Sequence, residues 1–521
     1  MYLVTANEMQ RMDKKTIQSF GLPGRLLMEN AGRGATEIFL KTFGAVGSKN
    51  IGIMAGRGNN GGDGFVMARC LAQKGLNVSV FLLSKRSLLT GDAAENFKLL
   101  APLAIPVQEI PDKAAFSRRK TALRRVDIWI DAILGTGLNS EVKGYFKAVI
   151  DSINRLGKPV LAVDIPSGLN ADTAQPCGTC IRAHTTATFG FAKLGHLLYP
   201  GAEYTGKLEV VDIGIPPHVA AEVGPLQALL TREYVRGCLQ SRSPDTHKGH
   251  TGHLLVLAGS PGKTGAAAMT AMSAMRAGAG LVTSGIPKSL NPVLETQVLE
   301  AMTYPLPETP TGEFAASALG EIKSLLTGKK CLAIGPGIGT AHETRALILK
   351  IINNCRIPMV IDADGLNCLA DDTNRLLKCK GPVVLTPHPG EMARLMRTTA
   401  GGVQADRIKN AREFARQNKV HVVLKGARTV IAHPDGRVFV NPTGNPGMAS
   451  GGMGDVLTGV IAGLIAQGYS PEVSTHVGTY LHGAAADALL EKHGPFGFIA
   501  SDVMHNLPLE IGKLTAAPDL S

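Results

Sequence analysis

Short apolar runs alternate with helical patterns along nearly the whole chain, and this alternation constrains the fold more than any other feature. NIGIMAG at residues 50–56 reads as a strand, RGNNGGDG at 57–64 as a loop, and FVMARCLAQKG as a helix ending at Gly75. Strand LNVSVFLL follows, then a helical stretch around GDAAENFKLL and strand VDIWIDAILG at 126–135. Helix EVKGYFKAVIDSINRLG precedes strand PVLAVDIP at 159–166, and a last strand, KLEVVDIGIP, ends at Pro216. Strands alternating with helices predict a parallel sheet covered on both faces. Before all this, residues 1–44 carry two helical patterns, with Thr5 placed to cap the first.

The rhythm lapses between residues 219 and 245, where Pro225 and Pro244 punctuate the chain, and then resumes. Strands are expected at HLLVLAGS, CLAIG, PMVIDAD, PVVLTPH and VHVVLKG, separated by helices such as AAAMTAMSAMRAG, HETRALILKIINN and DRIKNAREFARQN. A chain of 521 residues is too long for one ordinary core. The lapse places a boundary near residue 222, so the expectation is two α/β domains, 1–222 and 223–521, each a three-layer αβα sandwich.

Composition narrows the function classes. Hydrophobic residues at 44% and charged ones at 18% suit a compact globular protein. A net charge of +12 fits either a nucleic-acid binder or a site for polyanionic small molecules. The densest basic run, SRRKTALRR at 117–125, has no interleaved aromatics and precedes an apolar strand, so it reads as a solvated helix face and no nucleic-acid partner is expected. MYLVTANEMQRMDKK lacks the apolar stretch of a signal peptide, and no run reaches the ~18 apolar residues of a membrane span. No membrane partner is expected, and the expected location is cytoplasmic. Cys177 and Cys180 form a single CxxC without a second pair or a suitably spaced His, so they read as reduced cysteines rather than zinc ligands.

Ligands of parallel sheets bind where strands give way to loops. In RGNNGGDG, Asn59, Asn60 and Asp63 supply polar atoms while Gly61, Gly62 and Gly64 permit sharp turns; such a loop can hold a phosphate on its N–H groups or a cation on its oxygens. It is not the GxGxxG dinucleotide fingerprint. Asp131 closes one strand ahead of GTGL at 135–138, and Asp164 closes another ahead of Ser167. Each could cap a turn, but three polar features at one sheet edge point to a site.

In the second half, GSPGKTG at 259–265 fails the Walker A pattern, since Leu257 stands where its first glycine is needed. GPGIG at 335–339 follows a strand as a loop of close backbone approach. TPHPGE sets His388, between prolines, and Glu391 at another strand end. Lys425 in KGART is either a phosphate-neutralising lysine or an exposed strand-end residue. In ASGGMGDVLTG at 449–459, small residues lead into Gly454, Asp455 and an apolar helical pattern. A helix N-terminus reached through glycines binds anions. Asp455 would repel a phosphate, so its presence makes sense if it takes a proton from an attacking hydroxyl; the alternative is a capped, tightly packed glycine turn.

These motifs, in this order, resemble the bifunctional NAD(P)H-hydrate repair enzymes from about residue 5 to residue 510. GRGNNGGDG, DAILGTGL and VDIPSGL are similar to the epimerase part; HKGHTGHLLVLAGS, GPGIG, TPHPGE, LKGART and ASGGMGDVLTG to the ADP-dependent dehydratase part. The resemblance implies a Rossmann-like N-terminal domain that interconverts the R and S hydrates of NADH and NADPH (NADHX and NADPHX). It implies a ribokinase-like C-terminal domain that dehydrates the S form at the expense of ADP through a phosphorylated intermediate. It further implies epimerase substrate contacts at Asn59, Asn60, Gly61, Gly62, Asp63, Gly135, Thr136, Gly137, Leu138, Asn139, Ser140, Glu141 and Asp164, with potassium on Asn60, Asp131 and Ser167. Dehydratase substrate contacts fall on Ala266, Gly337, His388 and Asp455, and nucleotide contacts on Lys425, Gly426, Ala427, Arg428, Thr429 and Gly454. Asp164 and Asp455 are the expected catalytic residues, magnesium is expected with the nucleotide, and a homo-oligomer is expected. The rival expectation is a ribokinase-like small-molecule kinase carrying an N-terminal binding scaffold.

Overall fold

The structure is a computed structural model that describes residues 1–240 and 242–515. The chain divides between Pro225 and Leu226 into two compact α/β units.

In the N-terminal unit, seven parallel strands form one sheet in the spatial order Val107–Glu109, Asn77–Leu82, Asn50–Ala55, Ile128–Ala132, Val160–Val163, Thr185–Phe189 and Lys207–Val211. Numbered along the chain this is 3-2-1-4-5-6-7, the Rossmann-type order, which reverses direction between Asn50–Ala55 and Ile128–Ala132. Trp129 is fully buried and packs on Phe81 with ring centroids 5.4 Å apart. Gly52, on the neighbouring strand, leaves room for the indole, since a Cβ there would lie 2.7 Å from the Trp129 ring.

The sequence expectation of a loop at RGNNGGDG is corrected here. Gly58 is the N-cap, and Asn59–Gln73 is one helix. Its glycines serve packing: a Cβ on Gly61 would overlap the Gly56 carbonyl, and one on Gly64 would meet the Ala132 Cβ at 2.7 Å. Strands Val107–Glu109 and Thr185–Phe189 were not expected, and the strand expected to run to Pro216 ends at Val211. Thr185, Thr186 and Thr188 are buried yet polar, so no apolar run marks that central strand.

The C-terminal unit contains ten strands in the order Gln227–Leu229, Val438–Val440, Val430–Ala432, His421–Leu424, Val383–Leu385, Met359–Ile361, Cys331–Ile334, His253–Leu257, Leu281–Pro287 and Met302–Leu306. The sheet is parallel except at Val430–Ala432, which runs antiparallel to both neighbours, a departure from the expected all-parallel sheet. A hairpin forms there because the few residues between 424 and 430 and between 432 and 438 cannot hold a crossover helix. Order reverses between Cys331–Ile334 and His253–Leu257. Helices Thr264–Arg276 and Met453–Ala466 pack closely, with Gly459 against Thr270 and Gly463 against Ala274. No helix among the described residues is long and apolar enough to cross a membrane, and the eight cysteines are free thiols.

Candidate active sites

Each unit places polar groups on the loops that follow its parallel strands, and in the N-terminal unit these lie beside the reversal point. In the N-terminal unit a cavity of about 1270 Å³ opens there. Asn59, Asn60, Asp63, Gly135, Thr136, Gly137 and Asp164 line it, together with Asp13, Lys85 and Lys193. The volume exceeds that of common small-ligand sites and leaves room for a dinucleotide. Gly61 and Gly62 lie buried in the helix packing. Leu138 packs into the apolar cluster around Trp129, while Asn139, Ser140 and Glu141 are exposed, with Glu141 paired to Lys143 at 2.9 Å; these four stand outside the cavity lining.

Asp164 ends Val160–Val163 with φ of +63°, a left-handed conformation that Asp tolerates better than most residues. Its Oδ1 accepts from Lys193 Nζ at 2.6 Å and Thr188 Oγ1 at 3.1 Å, and Lys193 also donates to Thr188 Oγ1 and the Phe189 carbonyl. Burial pushes the Asp164 carboxyl up, but the Lys193 ammonium and its hydrogen bond outweigh it and hold the group below the ordinary carboxylate range. The opposite holds for its neighbours. Burial, reinforced by the Asp164 charge, pushes Asp63 well above its ordinary value, and burial raises Asp13 to about 6 against the opposing pull of Lys193. The cavity thus pairs a fixed carboxylate with one carboxyl, Asp63, that holds its proton and another, Asp13, that titrates near 6.

Asp131 lies beneath this group. Its carboxylate accepts from Ser167 Oγ at 2.6 Å, Ser167 N at 2.8 Å and Ile133 N at 3.3 Å, yet burial still raises it to about 6. Ser167 Oγ lies 3.2 Å from the Leu134 carbonyl, which also accepts from Asn60 Nδ2 at 3.1 Å. Asn60 Oδ1 is buried without a hydrogen-bond partner. An orphaned amide oxygen beside a carboxylate, a hydroxyl and a carbonyl is a hard-oxygen donor set that suits an alkali or alkaline-earth cation.

In the C-terminal unit the loop residues converge on Asp362. This residue follows Met359–Ile361, is buried, and accepts from Lys425 Nζ on Oδ1 at 2.7 Å and from Thr458 Oγ1 on Oδ2 at 2.8 Å. Lys425 also lies 3.7 Å from Glu391. It is therefore paired in a carboxylate cluster rather than standing exposed. Burial alone would lower its ammonium pKa, and Asp362 and Glu391 reverse the sign. Gly454 faces this lysine: a Cβ there would lie 3.2 Å from Nζ.

Gly452 caps helix Met453–Ala466 in a left-handed conformation, and Asp455 sits in the first turn without capping it. Burial, then the Asp362 charge, raises the Asp455 carboxyl to about 7, with Lys425 opposing and Asp364 and Glu391 adding. A carboxylate poised near neutrality at a helix N-terminus can exchange a proton while the adjacent N–H groups receive an anion. Carboxylates grouped this way can also take a magnesium ion that arrives on nucleotide phosphates.

Gly337 and Ala266 are neighbours, since a Cβ on Gly337 would sit 3.2 Å from that of Ala266, and Ser260 Oγ donates to the Gly337 carbonyl at 2.7 Å. His388 is the N-cap of Pro389–Met396: its Nδ1 accepts from Gly390 N and Glu391 N, and Glu391 returns a bond to His388 N. The Lys425–Thr429 loop is braced from behind by the buried Arg407, whose guanidinium donates to the carbonyls of Leu424, Lys425, Ala427 and Arg428.

Comparison with known proteins parallels this two-part layout. Residues 254–509 match the family described as NAD(P)H-hydrate dehydratase, and residues 24–195 match the YjeF-related protein N-terminus. The bifunctional NAD(P)H-hydrate repair enzyme Nnr of Moorella thermoacetica is 44% identical over 515 residues, covering 99% of this chain and 97% of that protein. The chain belongs to the bifunctional NAD(P)H-hydrate repair enzyme family. A second member of this repair-enzyme family, from Thermofilum pendens, is 38% identical over 514 residues, with 99% and 97% covered. Among solved structures, the ADP/ATP-dependent NAD(P)H-hydrate dehydratase of Bacillus subtilis, co-crystallised with ATP/Mg2+, is 32% identical with a TM-score of 0.49, covering 55% of this chain and 98% of that one.

Sequence reading of this repair-enzyme chain overlooked Asp13, Lys193, Asp362, Thr458 and Arg407. For Asp362 the signal was present, an acid closing an apolar strand as Asp131 and Asp164 do. Lys193 and Arg407 carry no local mark, because a buried cation is recognisable only by what surrounds it.

Proposed function

We propose that the chain repairs hydrated NADH and NADPH by two linked reactions. The N-terminal domain epimerises the R and S hydrates, and the C-terminal domain dehydrates the S form at the expense of ADP. The observation that carries the second reaction is Asp455, a carboxyl raised to about 7 in the first turn of a glycine-capped helix beside Lys425. Asp455 takes the proton of the substrate hydroxyl as that oxygen attacks the terminal phosphoryl group of ADP, and AMP leaves with the electrons of the broken bridging P–O bond. Backbone N–H groups from Gly452 to Gly454 receive the developing charge on the phosphoryl oxygens. Hydroxide is a poor leaving group and phosphate a good one. Phosphate then departs with the electrons of the C–O bond, and loss of a neighbouring ring proton restores the double bond.

Lys425, Gly426, Ala427, Arg428, Thr429 and Gly454 hold the nucleotide, and Ala266, Gly337, His388 and Asp455 contact the hydrate. Magnesium bound with the nucleotide neutralises phosphate charge. In the epimerase, Asp164 acts as the acid–base group, kept anionic at rest by Lys193, and Asn60, Asp131 and Ser167 hold potassium. The cavity contacts include Asn59, Asn60, Asp63, Gly135–Gly137 and Asp164, with Gly61, Gly62 and Leu138–Glu141 completing the family set. We place the protein in the cytoplasm as a homo-oligomer.

The test is a repair assay with separated epimers and either ADP or ATP, following the absorbance band of the reduced nicotinamide. Recovery of the band with ADP and release of phosphate supports the reading. A stable phosphorylated product without recovery makes the C-terminal domain a kinase.

A further inference from the structure

A cluster in the C-terminal unit has no part in either reaction. His421 opens strand His421–Leu424, His433 follows strand Val430–Ala432, and Glu472 and His476 stand one turn apart near the start of helix Pro471–His493. His433 Nε2 lies 2.8 Å from His476 Nε2. Both rings are buried, and the ligating atoms of His433, His476 and Glu472 all lie within 4.8 Å of one another.

We propose that His433, His476 and Glu472 form a binding site for one divalent ion of the zinc class. Two imidazoles and a carboxylate are a recurrent ligand set for zinc, and the fourth position is open to water. Each ligand has its outer atom held by a partner. His433 Nδ1 bonds His421 Nδ1 at 2.8 Å, His476 Nδ1 bonds the Tyr234 hydroxyl at 2.9 Å, and Glu472 Oε2 accepts from Arg437 Nη2 at 2.8 Å. Such outer contacts orient ligands in metal sites and fix the imidazole tautomer. Arg437 does not leave a bare positive charge beside the ion, because Asp435 also pairs with it at 2.6 Å. Phe439 lies against His476 with ring centroids 4.1 Å apart and closes one side of the cluster.

The metal-free arrangement places one proton between the two Nε2 atoms. Coordination needs both lone pairs, so a proton on His476 moves to its Nδ1 and is donated in a hydrogen bond to the Tyr234 oxygen, whereas a proton on His433 moves to its Nδ1 and the His421 proton shifts from Nδ1 to Nε2, leaving His421 Nδ1 to accept; no proton leaves the cluster. Two nitrogens on one tetrahedral ion stand about 3.3 Å apart, so the rings separate by only about 0.5 Å. The ion would join the hairpin to the long helix at the strand ends opposite the Lys425–Thr429 loop.

The test uses the full-length protein stripped with a chelator and dialysed against limiting zinc, with metal per chain measured by elemental analysis and cobalt absorption as a second probe. One equivalent is expected, with the visible bands of four-coordinate cobalt. Glu472→Gln, whose side chain is partly exposed and keeps its shape, is expected to weaken binding at least tenfold with an unchanged circular dichroism spectrum, and His476→Gln to abolish it. No retained zinc in the wild type, or equal retention in Glu472→Gln and His476→Gln, overturns the site. If His476→Gln fails to fold, Glu472→Gln alone decides, because tenfold weaker binding in a folded variant supports the site and unchanged binding refutes it.

Discussion

The ammonium of Lys193 meets the carboxylate of Asp164 at 2.6 Å, with the lysine side chain only 1% exposed. A buried pair of this kind tolerates loss of one partner badly. Lys193→Met is expected to destabilise the N-terminal unit by about 3–5 kcal/mol in urea titrations. Asp164→Ala is expected to leave the S hydrate repairable and strand the R hydrate. Equal repair of both epimers by that variant would remove Asp164 from the epimerisation.

As the proposed base, Asp455 would give the dehydration step a signature in pH. Its carboxyl is raised to about 7, and the base form exists above that value. Activity with ADP should climb as pH rises through about 7 and then level off. Asp455→Asn should lower turnover by about 10²–10⁴-fold and lose that limb. A variant with wild-type turnover would refute the assignment.

Asp13 links pH to stability. Its folded-state pKa is raised from 3.8 to about 6, so between those values the native state binds more protons than the unfolded one. The N-terminal unit therefore loses stability as pH rises through that window. Asp13→Asn should match the wild type at pH 4 and exceed it at pH 7 by up to about 3 kcal/mol. Denaturant midpoints of the two proteins at both pH values provide the measurement.

The orphaned Asn60 oxygen beside Asp131 and Ser167 leads to an ion dependence. Replacing potassium chloride with choline chloride should slow epimerisation while leaving dehydration of the S hydrate in place. Ser167→Ala should blunt the response to added potassium; an unchanged potassium titration would exclude that residue as a ligand.

Gly61 has no room for a methyl group, since a Cβ would overlap the Gly56 carbonyl. Gly61→Ala is expected to cost about 2 kcal/mol or more, read as a lowered thermal midpoint of the N-terminal unit. Gly58→Ala, where nothing lies within 4 Å of the added carbon, should cost much less.

Period-two and period-3.6 patterns are local, so most strands and the strand-end motifs were readable from the chain alone, whereas the strand order, and with it both sheet reversals, was not. The buried threonines of Thr185–Phe189 hid a central strand, and glycines that serve helix packing looked like a loop. The charged partners were further out of reach. Asp362 finds Lys425 63 residues away and Thr458 96 residues away, and no local pattern encodes those separations. Asp164 was conspicuous as a strand-end acid, but the buried lysine that keeps it ionised was not.

Arg407 spends its guanidinium on four backbone carbonyls behind the Lys425–Thr429 segment rather than on a ligand. That segment therefore has its shape before any phosphate arrives. For the nucleotide proposed to bind there, ordering of the segment then costs little entropy, and its release would not wait on a loop unfolding.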